Sequence, residues 1–299
     1  MECAEPARLA EHSLLLDVAV AGERLIAVGE RGHVLVSEDG GSNWTQARVP
    51  ARSMLTAVAM VDERHSWTVG HDAVILHSGD GGQTWTRQFF APEEEAPLLD
   101  VWFAEADHGL AVGAYGLALG THDGGNTWER RSIGEEEAHL YAITEGPDGT
   151  LYVAGEFGSV FRSRDRGQGW LPLSSPYKGS FFGILAPSNG ALLVFGLRGN
   201  VYRSEDGGLS WQKVESGTAA SLMSGIELAD GTIVLVGLSG TVLVSTDGGS
   251  NFTAAKRTNR QGIAAVAEVG PESLVLVGEA GLTRIHGLSN DHSKTKSGS

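Results

Sequence analysis

An aspartate in a near-identical turn returns six times along the chain, at Asp39, Asp80, Asp123, Asp165, Asp206 and Asp247, at intervals of 41, 43, 42, 41 and 41 residues. A glycine that closes an aliphatic run such as "LIAVG" keeps the same beat at Gly29, Gly70, Gly113, Gly155, Gly196, Gly237 and Gly278. Self-similarity at a fixed period means one supersecondary unit stacked on copies of itself, which excludes most other architectures at once. There are seven units, the seventh lacking the aspartate turn. Each reads as four short strands: an apolar run ("LLLDVAV", "LLDVWFA", "FFGILA"), a run ending at the marker glycine ("LYVAG", "IVLVG"), an alternating run ("HVLVS", "VYRS") and a run after the Trp ("WTQARV", "WQKV"). Runs of this length, rich in Val, Ile and aromatics and bounded by Gly, Asp and Asn, are strand signals, and no convincing helix interrupts them. The predicted fold is all-β, a seven-bladed β-propeller of four-stranded antiparallel blades.

The first strand of each repeat is expected to line the axis. One position there is small or acidic (Asp17, Ala57, Asp100, Ala142, Gly183, Gly225, Ala265), while its neighbour is aliphatic, from Val18 and Val58 through Ile143 to Val266. Small residues fit a narrow channel, and branched ones fit the packing between sheets. At 299 residues the chain exceeds the usual ~100–200 per domain, and growth by repetition accounts for the excess. The propeller is predicted over residues 13–287. The seventh repeat supplies three strands, so a segment within residues 2–12 is expected to cover its open edge as a fourth, with 288–299 a disordered tail.

The recurring turns read "SEDGGSNW", "SGDGGQTW", "THDGGNTW", "SRDRGQGW", "SEDGGLSW" and "STDGGSNF". Their fixed members are Ser37, Asp39 and Trp44; Ser78, Asp80 and Trp85; Thr121, Asp123 and Trp128; Ser163, Asp165 and Trp170; Ser204, Asp206 and Trp211; Ser245, Asp247 and Phe252. A Gly pair supplies positive φ, a hydroxyl and a carboxylate can hold the hairpin's own N–H groups, and an aromatic packs the hairpin down. These roles are internal, so the turns are expected to be structural staples. Six carbohydrate or calcium sites would need carboxylates left free, and only one acid per turn recurs.

These stretches resemble the Asp-box, S/T-x-D-x-G-x-x-W, of sialidases and other propeller proteins; "SRDRGQGW" loses the first Gly, and Phe252 replaces the last Trp. The whole unit, "VG…G…V…S…DGG…W", is similar more specifically to the photosystem II assembly and stability factor family, over roughly residues 13–287. The resemblance implies a noncatalytic scaffold, periplasmic or otherwise exported, that binds protein in a membrane-associated complex. It implies no cofactor and no metal. The family carries a basic patch on its propeller, and this sequence does not reproduce one.

Charge and motifs narrow the function further. With 37 acidic against 22 basic residues the net charge is −15, which disfavours nucleic acid and anionic membrane surfaces as ligands. No stretch reaches the ~18 apolar residues of a spanning helix, and "MECAEPARLAEHS" lacks the build of a secretion signal, so a leader would be absent from this chain. A lone cysteine, Cys3, leaves the redox compartment unread, and a monomer is expected. Hydrolase elbow, zincin, P-loop and dinucleotide motifs are missing, as is the R-I-P motif of sialidases, and the ten histidines are scattered singly. The alternative function is a carbohydrate-active propeller, glycosidase or lectin, for which the channel aspartates Asp17 and Asp100 are the best candidate pair.

A protein partner is expected on the end that carries the turns between second and third strands. These turns place Arg31, His71, Asp72, Tyr115, Glu156, Phe157, Arg198 and Leu238 around one rim. Tyr115 and Phe157 are large aromatics on consecutive blades, flanked by charge, which is the composition of a protein contact. Two acidic runs in the links between blades, Glu93, Glu94 and Glu95, then Glu135, Glu136 and Glu137, stand one repeat apart and so belong to the same end.

Overall fold

A computed structural model describes residues 3–134, 138–271 and 273–287. Seven antiparallel sheets, one per repeat, surround a single axis. In the first blade the strands Leu15–Ala21, Arg24–Gly29, Val34–Ser37 and Thr45–Gln46 follow one another outward. Each inner strand packs on the inner strands of both neighbouring blades, and blade seven meets blade one to close the ring. The second strands are buried almost throughout because neighbouring blades cover both their faces, which is why they read as continuous apolar runs. The only helical elements described are short 3-10 turns.

The core lies in the seams between blades. In six seams the cluster includes the aromatic of an aspartate turn: Trp44, Trp85, Trp128, Trp170, Trp211 or Phe252. The cluster between blades six and seven is wholly aliphatic. Between blades two and three, Trp67 is fully buried and stacks on Phe103, ring centroids 3.7 Å apart.

All seven inner strands slip register at the same place. Leu15 pairs with Gly29 but Asp17 with Val28, and the bulge recurs at Leu55/Ala57, Leu98/Asp100, Leu140/Ala142, Phe181/Gly183, Leu222/Ser224 and Ile263/Ala265. One expectation is thereby corrected: the sixth member of the axial set is Ser224, which pairs with Val236, and not Gly225, which pairs with Leu235. A bulge cannot be counted from periodicity, since it adds a residue without changing the repeat length.

The expected closing strand is also corrected. Among the described residues blade seven has three strands, Ile263–Gly270, Ser273–Gly278 and Gly281–His286, and residues 3–12 form none. The polar groups of the N-terminal segment are taken up by blade one instead: Ala4 N–H donates to Val49 O (3.1 Å), Ala7 N–H to Gln46 Oε1 (2.8 Å), and Gln46 Nε2 to Glu5 O (3.0 Å). The segment then passes to blade seven as a link. A Cβ on Gly281 (φ +72°) would lie 2.0 Å from Glu11 O, the same approach that Gly32 makes to Ala51 and Gly240 to Asn259. Replacing Gly281 by Ala should therefore loosen the closure and lower the melting temperature by several degrees, whereas Ala at Gly231, which has nothing within 4 Å, should cost less. Differential scanning calorimetry separates the two. The tail expected at 288–299 lies outside the described residues.

Candidate binding face

The turns between second and third strands share one construction. In six blades a three-residue 3-10 turn holds its middle residue in the left-handed region: Arg31, Asp72, Tyr115, Phe157, Arg198 and Ser239, with φ between 54° and 60°. That conformation costs a non-glycine residue roughly 1–2 kcal/mol, and such strain concentrates at functional sites. It also throws the side chain outward. Tyr115 is 63% exposed and Phe157 68%, the largest values for aromatics in the described chain. Leu238 is 43% exposed, and His71, Arg31 and Arg198 are exposed too.

Inside this rim stands a second ring that the sequence reading missed. The extra residue of each bulge, Leu16, Thr56, Leu99, Tyr141, Phe182, Met223 and Ala264, turns into the axial cavity of about 200 Å³. Aromatic contacts join the two rings in a line: Tyr115 to His139 (4.7 Å), His139 to Tyr141 (6.0 Å) and Tyr141 to Phe182 (5.1 Å), each ring set edge to face. Tyr115 N–H donates to His139 Nδ1 at 3.0 Å, which puts the imidazole proton on Nε2, facing Glu156. The available signal was the aromatic residue in "HLYA" and in "FFGI" at the starts of two inner strands.

Among the expected charges, Glu93, Glu94 and Glu95 are exposed on a link that packs against the His71–Ala73 turn, so they do share this end. Glu94 is ion-paired with Arg130. Glu156 is half-buried and accepts a long bond from His139 N–H (3.4 Å), and Asp72, exposed on its turn, accepts from the Ser53 hydroxyl. Glu135, Glu136 and Glu137 lie outside the described residues.

The channel aspartates are ties between blades. Asp17 accepts from Val18 N–H (2.8 Å) through one oxygen and through the other from Val58 N–H (2.8 Å) of the next blade. Asp100 does the same with Val101 (2.8 Å) and Ile143 (2.7 Å). Burial pushes Asp17 up to about 6 and Asp100 up to about 7, the latter helped by the charge of Asp17, although the amide bonds favour the anion. The folded state thus holds more protons than the unfolded chain between about pH 4 and 7, and this stabilisation is lost as pH rises through that window. The turn aspartates act oppositely: hydrogen bonds hold Asp39, Asp206 and Asp247 down to about 2, so their contribution is present above about pH 4 and lost toward pH 2. Asp17 and Asp100 should therefore lower the melting temperature as pH rises from about 4 to 7, against His33, His77 and His108, whose burial lowers their pKa and adds stability over the same range. Asp17→Asn with Asp100→Asn should shift the melting temperature at about pH 7 upward relative to that at about pH 4 and leave the acid limb unchanged.

The aspartate turns themselves are internally satisfied. In every copy the Ser or Thr hydroxyl donates to the carboxylate (2.7–2.9 Å) and accepts an N–H four residues on (2.8–2.9 Å). The second carboxylate oxygen accepts from the side chains of Asn43, Thr84, Thr127, Ser210 and Asn251 in five copies; in the sixth, Gly169 has no side-chain donor and its N–H goes to the first oxygen of Asp165 (2.9 Å). Trp211 is only half-buried, whereas Trp85 is 6% exposed, so the larger aromatic contribution belongs to Trp85. The structure also joins two of the scattered histidines, His108 Nδ1 and His122 Nδ1, at 2.9 Å, while His108 donates from Nε2 to Arg166 O. No group of three metal-ligating side chains occurs among the described residues.

The fold and this end together define a seven-bladed propeller of BNR-type repeats whose rim turns and bulges converge on an aromatic axial mouth. A family model described as Photosynthesis system II assembly factor YCF48 matches residues 4–93 and 88–234. The chain belongs to that family. It is 34% identical to the Photosystem II assembly protein Ycf48 of Synechococcus sp. (strain JA-2-3B'a(2-13)) over 130 residues, 42% of this chain and 39% of that protein. It is 36% identical to the chloroplastic Photosystem II stability/assembly factor HCF136 of Guillardia theta over 59 residues, 18% of this chain and 15% of that one. The matches thus span about two fifths or less of the curated relatives' length. Among solved structures, YCF48 bound to D1 peptide superposes with a TM-score of 0.76 at 16% identity, covering 92% of this chain and 94% of that one. YCF48 from Cyanidioschyzon merolae gives 0.74 at 17% identity, covering 97% and 99%. At these identities the superpositions establish the fold alone. Virginiamycin B lyase from Staphylococcus aureus, an enzyme, shares it at 0.64. No helix among the described residues is long and apolar enough to cross a membrane.

Proposed function

We propose that this chain is a noncatalytic assembly factor that holds an extended segment of a photosystem II subunit on its turn-bearing end, as a monomer in an exported compartment. The observation that carries the reading is the aromatic line from Tyr115 through His139 and Tyr141 to Phe182, which offers stacking and apolar area from the exposed rim to the axial mouth. Family membership supports it, and so does the solved relative that was captured with a D1 peptide. The carbohydrate-active alternative is disfavoured: Asp17 and Asp100 each have both oxygens engaged by backbone amides, and six turn aspartates are engaged within their own hairpins.

The test is calorimetric titration of a D1 peptide into the chain and into Phe182→Ala. Binding by the wild type that falls at least tenfold in the variant supports the assignment. Equal affinity for both, or turnover of chromogenic glycosides by the wild type, would overturn it.

A further inference from the structure

One seam of the ring is built differently from the other six. The aromatic of each aspartate turn stands between its own blade and the preceding one, Trp44 at the seam of blades seven and one and Trp85 at that of blades one and two. Repeat seven carries Ile285 at the register position of the turn's Ser or Thr, since Leu274 pairs with Ile285 as Leu25 pairs with Ser37. Among the described residues it brings neither an aromatic nor a fourth strand to the seam with blade six.

A groove of about 820 Å³ opens there, lined by Leu228, Thr232 and Val244 of blade six and Leu274 of blade seven. Leu274 is the register equivalent of Leu25, Leu151 and Leu192. Those leucines border the aromatics of their own blades: a Cβ on Gly41 would meet Leu25 and Trp44 together, on Gly167 Leu151 and Trp170, and on Gly208 Leu192 and Trp211. The groove is therefore the place that an indole ring occupies in the other blades. Beside it the edge strand Gly281–His286 is paired on one side only among the described residues. Its Thr283 and Arg284 hold the positions that pair with a fourth strand elsewhere, as Leu35 and Val36 do with Gln46 and Thr45.

We propose that this seam is a second docking site, at the opposite end from the aromatic face, for an extended segment of another protein that carries an aromatic side chain followed closely by a basic one. The segment adds a strand to Gly281–His286 while its aromatic ring enters the groove. Charge selects the basic neighbour: Asp230 and Glu268 line the groove, among the described residues no Lys, Arg or His does, and the nearby Arg284 is turned to Ser42 of blade one (2.8 Å). The chain displays the same pattern at its own seams in Trp85-Thr86-Arg87, Trp128-Glu129-Arg130 and Trp211-Gln212-Lys213.

The probe is a fluorescein-labelled peptide Gly-Leu-Ser-Trp-Gln-Lys-Val-Glu, a copy of residues 208–215, titrated with the full chain by anisotropy. Saturable binding is expected, with a loss of about tenfold or more when Ser replaces the peptide's Trp. Asp230→Lys, an exposed turn position, should weaken binding about threefold to tenfold, Val244→Lys should abolish it, and Phe157→Ala should leave it unchanged. The proposal is overturned by no saturable binding; by equal binding of the Ser peptide; by full affinity in Asp230→Lys and Val244→Lys; or by binding that appears only after residues 288–299 are deleted, which would make the chain's own tail the occupant. A dimer in sedimentation equilibrium that the peptide dissociates would assign the seam to a second copy, and overturn it as well.

Discussion

Trp67→Ala should destabilise the ring by about 3–5 kcal/mol, the largest single-residue effect expected in the chain. Trp67 is 1% exposed, lies flat on Phe103 at 3.7 Å with an interplanar angle of 13°, and meets His77 at 4.7 Å on the same blade. Phe103 in turn takes the edge of Trp128 at 5.9 Å, so removing the indole opens a cavity in the middle of a three-ring stack between blades two and three. The surroundings are strands tied into two sheets and can collapse only partly. Trp67→Phe should cost much less, because it keeps one ring in the stack and removes an indole N–H that has no hydrogen-bond partner. Urea unfolding at constant m-value reads both changes. A loss below about 1 kcal/mol for the Ala variant would mean that the seam repacks freely.

On the function proposed above, Tyr115→Ala combined with Phe157→Ala should speed dissociation of a D1 peptide by about 30-fold or more, the equivalent of at least ~2 kcal/mol, with little change in association. Both side chains stand well out of the surface, so truncation removes contact area without touching the core. Reversal of Glu93 and Glu95 to Lys should do the opposite. These carboxylates are exposed, their field is screened beyond ~8–10 Å at physiological salt, and they should govern the rate of encounter and its salt dependence more than the lifetime of the complex. Glu94 is a poorer test because Arg130 already neutralises it. Surface-plasmon kinetics at low and high salt separate the two arms; wild-type kinetics from both variants would move the site off this end.

The architecture was legible because repetition multiplies weak signals. A single "LIAVG" could be strand or buried helix, but seven copies at one interval, each followed by a tight turn, leave one fold class. The staple role of Asp39 and its equivalents was readable for a related reason, since every donor each carboxylate needs is within four residues of it. What escaped the sequence was anything that depends on register. The bulge that sends Tyr141 and Phe182 into the axial mouth leaves the repeat length untouched, and the same slip exchanged Gly225 for Ser224. Closure escaped for another reason. An uncovered edge demanded a strand, yet the competition was decided by Gln46 and Val49, whose free polar groups hold residues 4–7 on blade one.

The six left-handed residues of the rim have a corollary. Because the preceding glycine and the inter-blade link hold each turn's backbone, Arg31, Asp72, Tyr115, Phe157, Arg198 and Ser239 share one main-chain geometry although their chemistries have nothing in common. The turn accepts a cation, an anion, a phenol, a phenyl or a hydroxyl alike, so on the proposed reading a change at one tip alters what the ring presents to a partner and leaves the scaffold as it was. A library randomised at those six codons alone should yield folded proteins in high proportion.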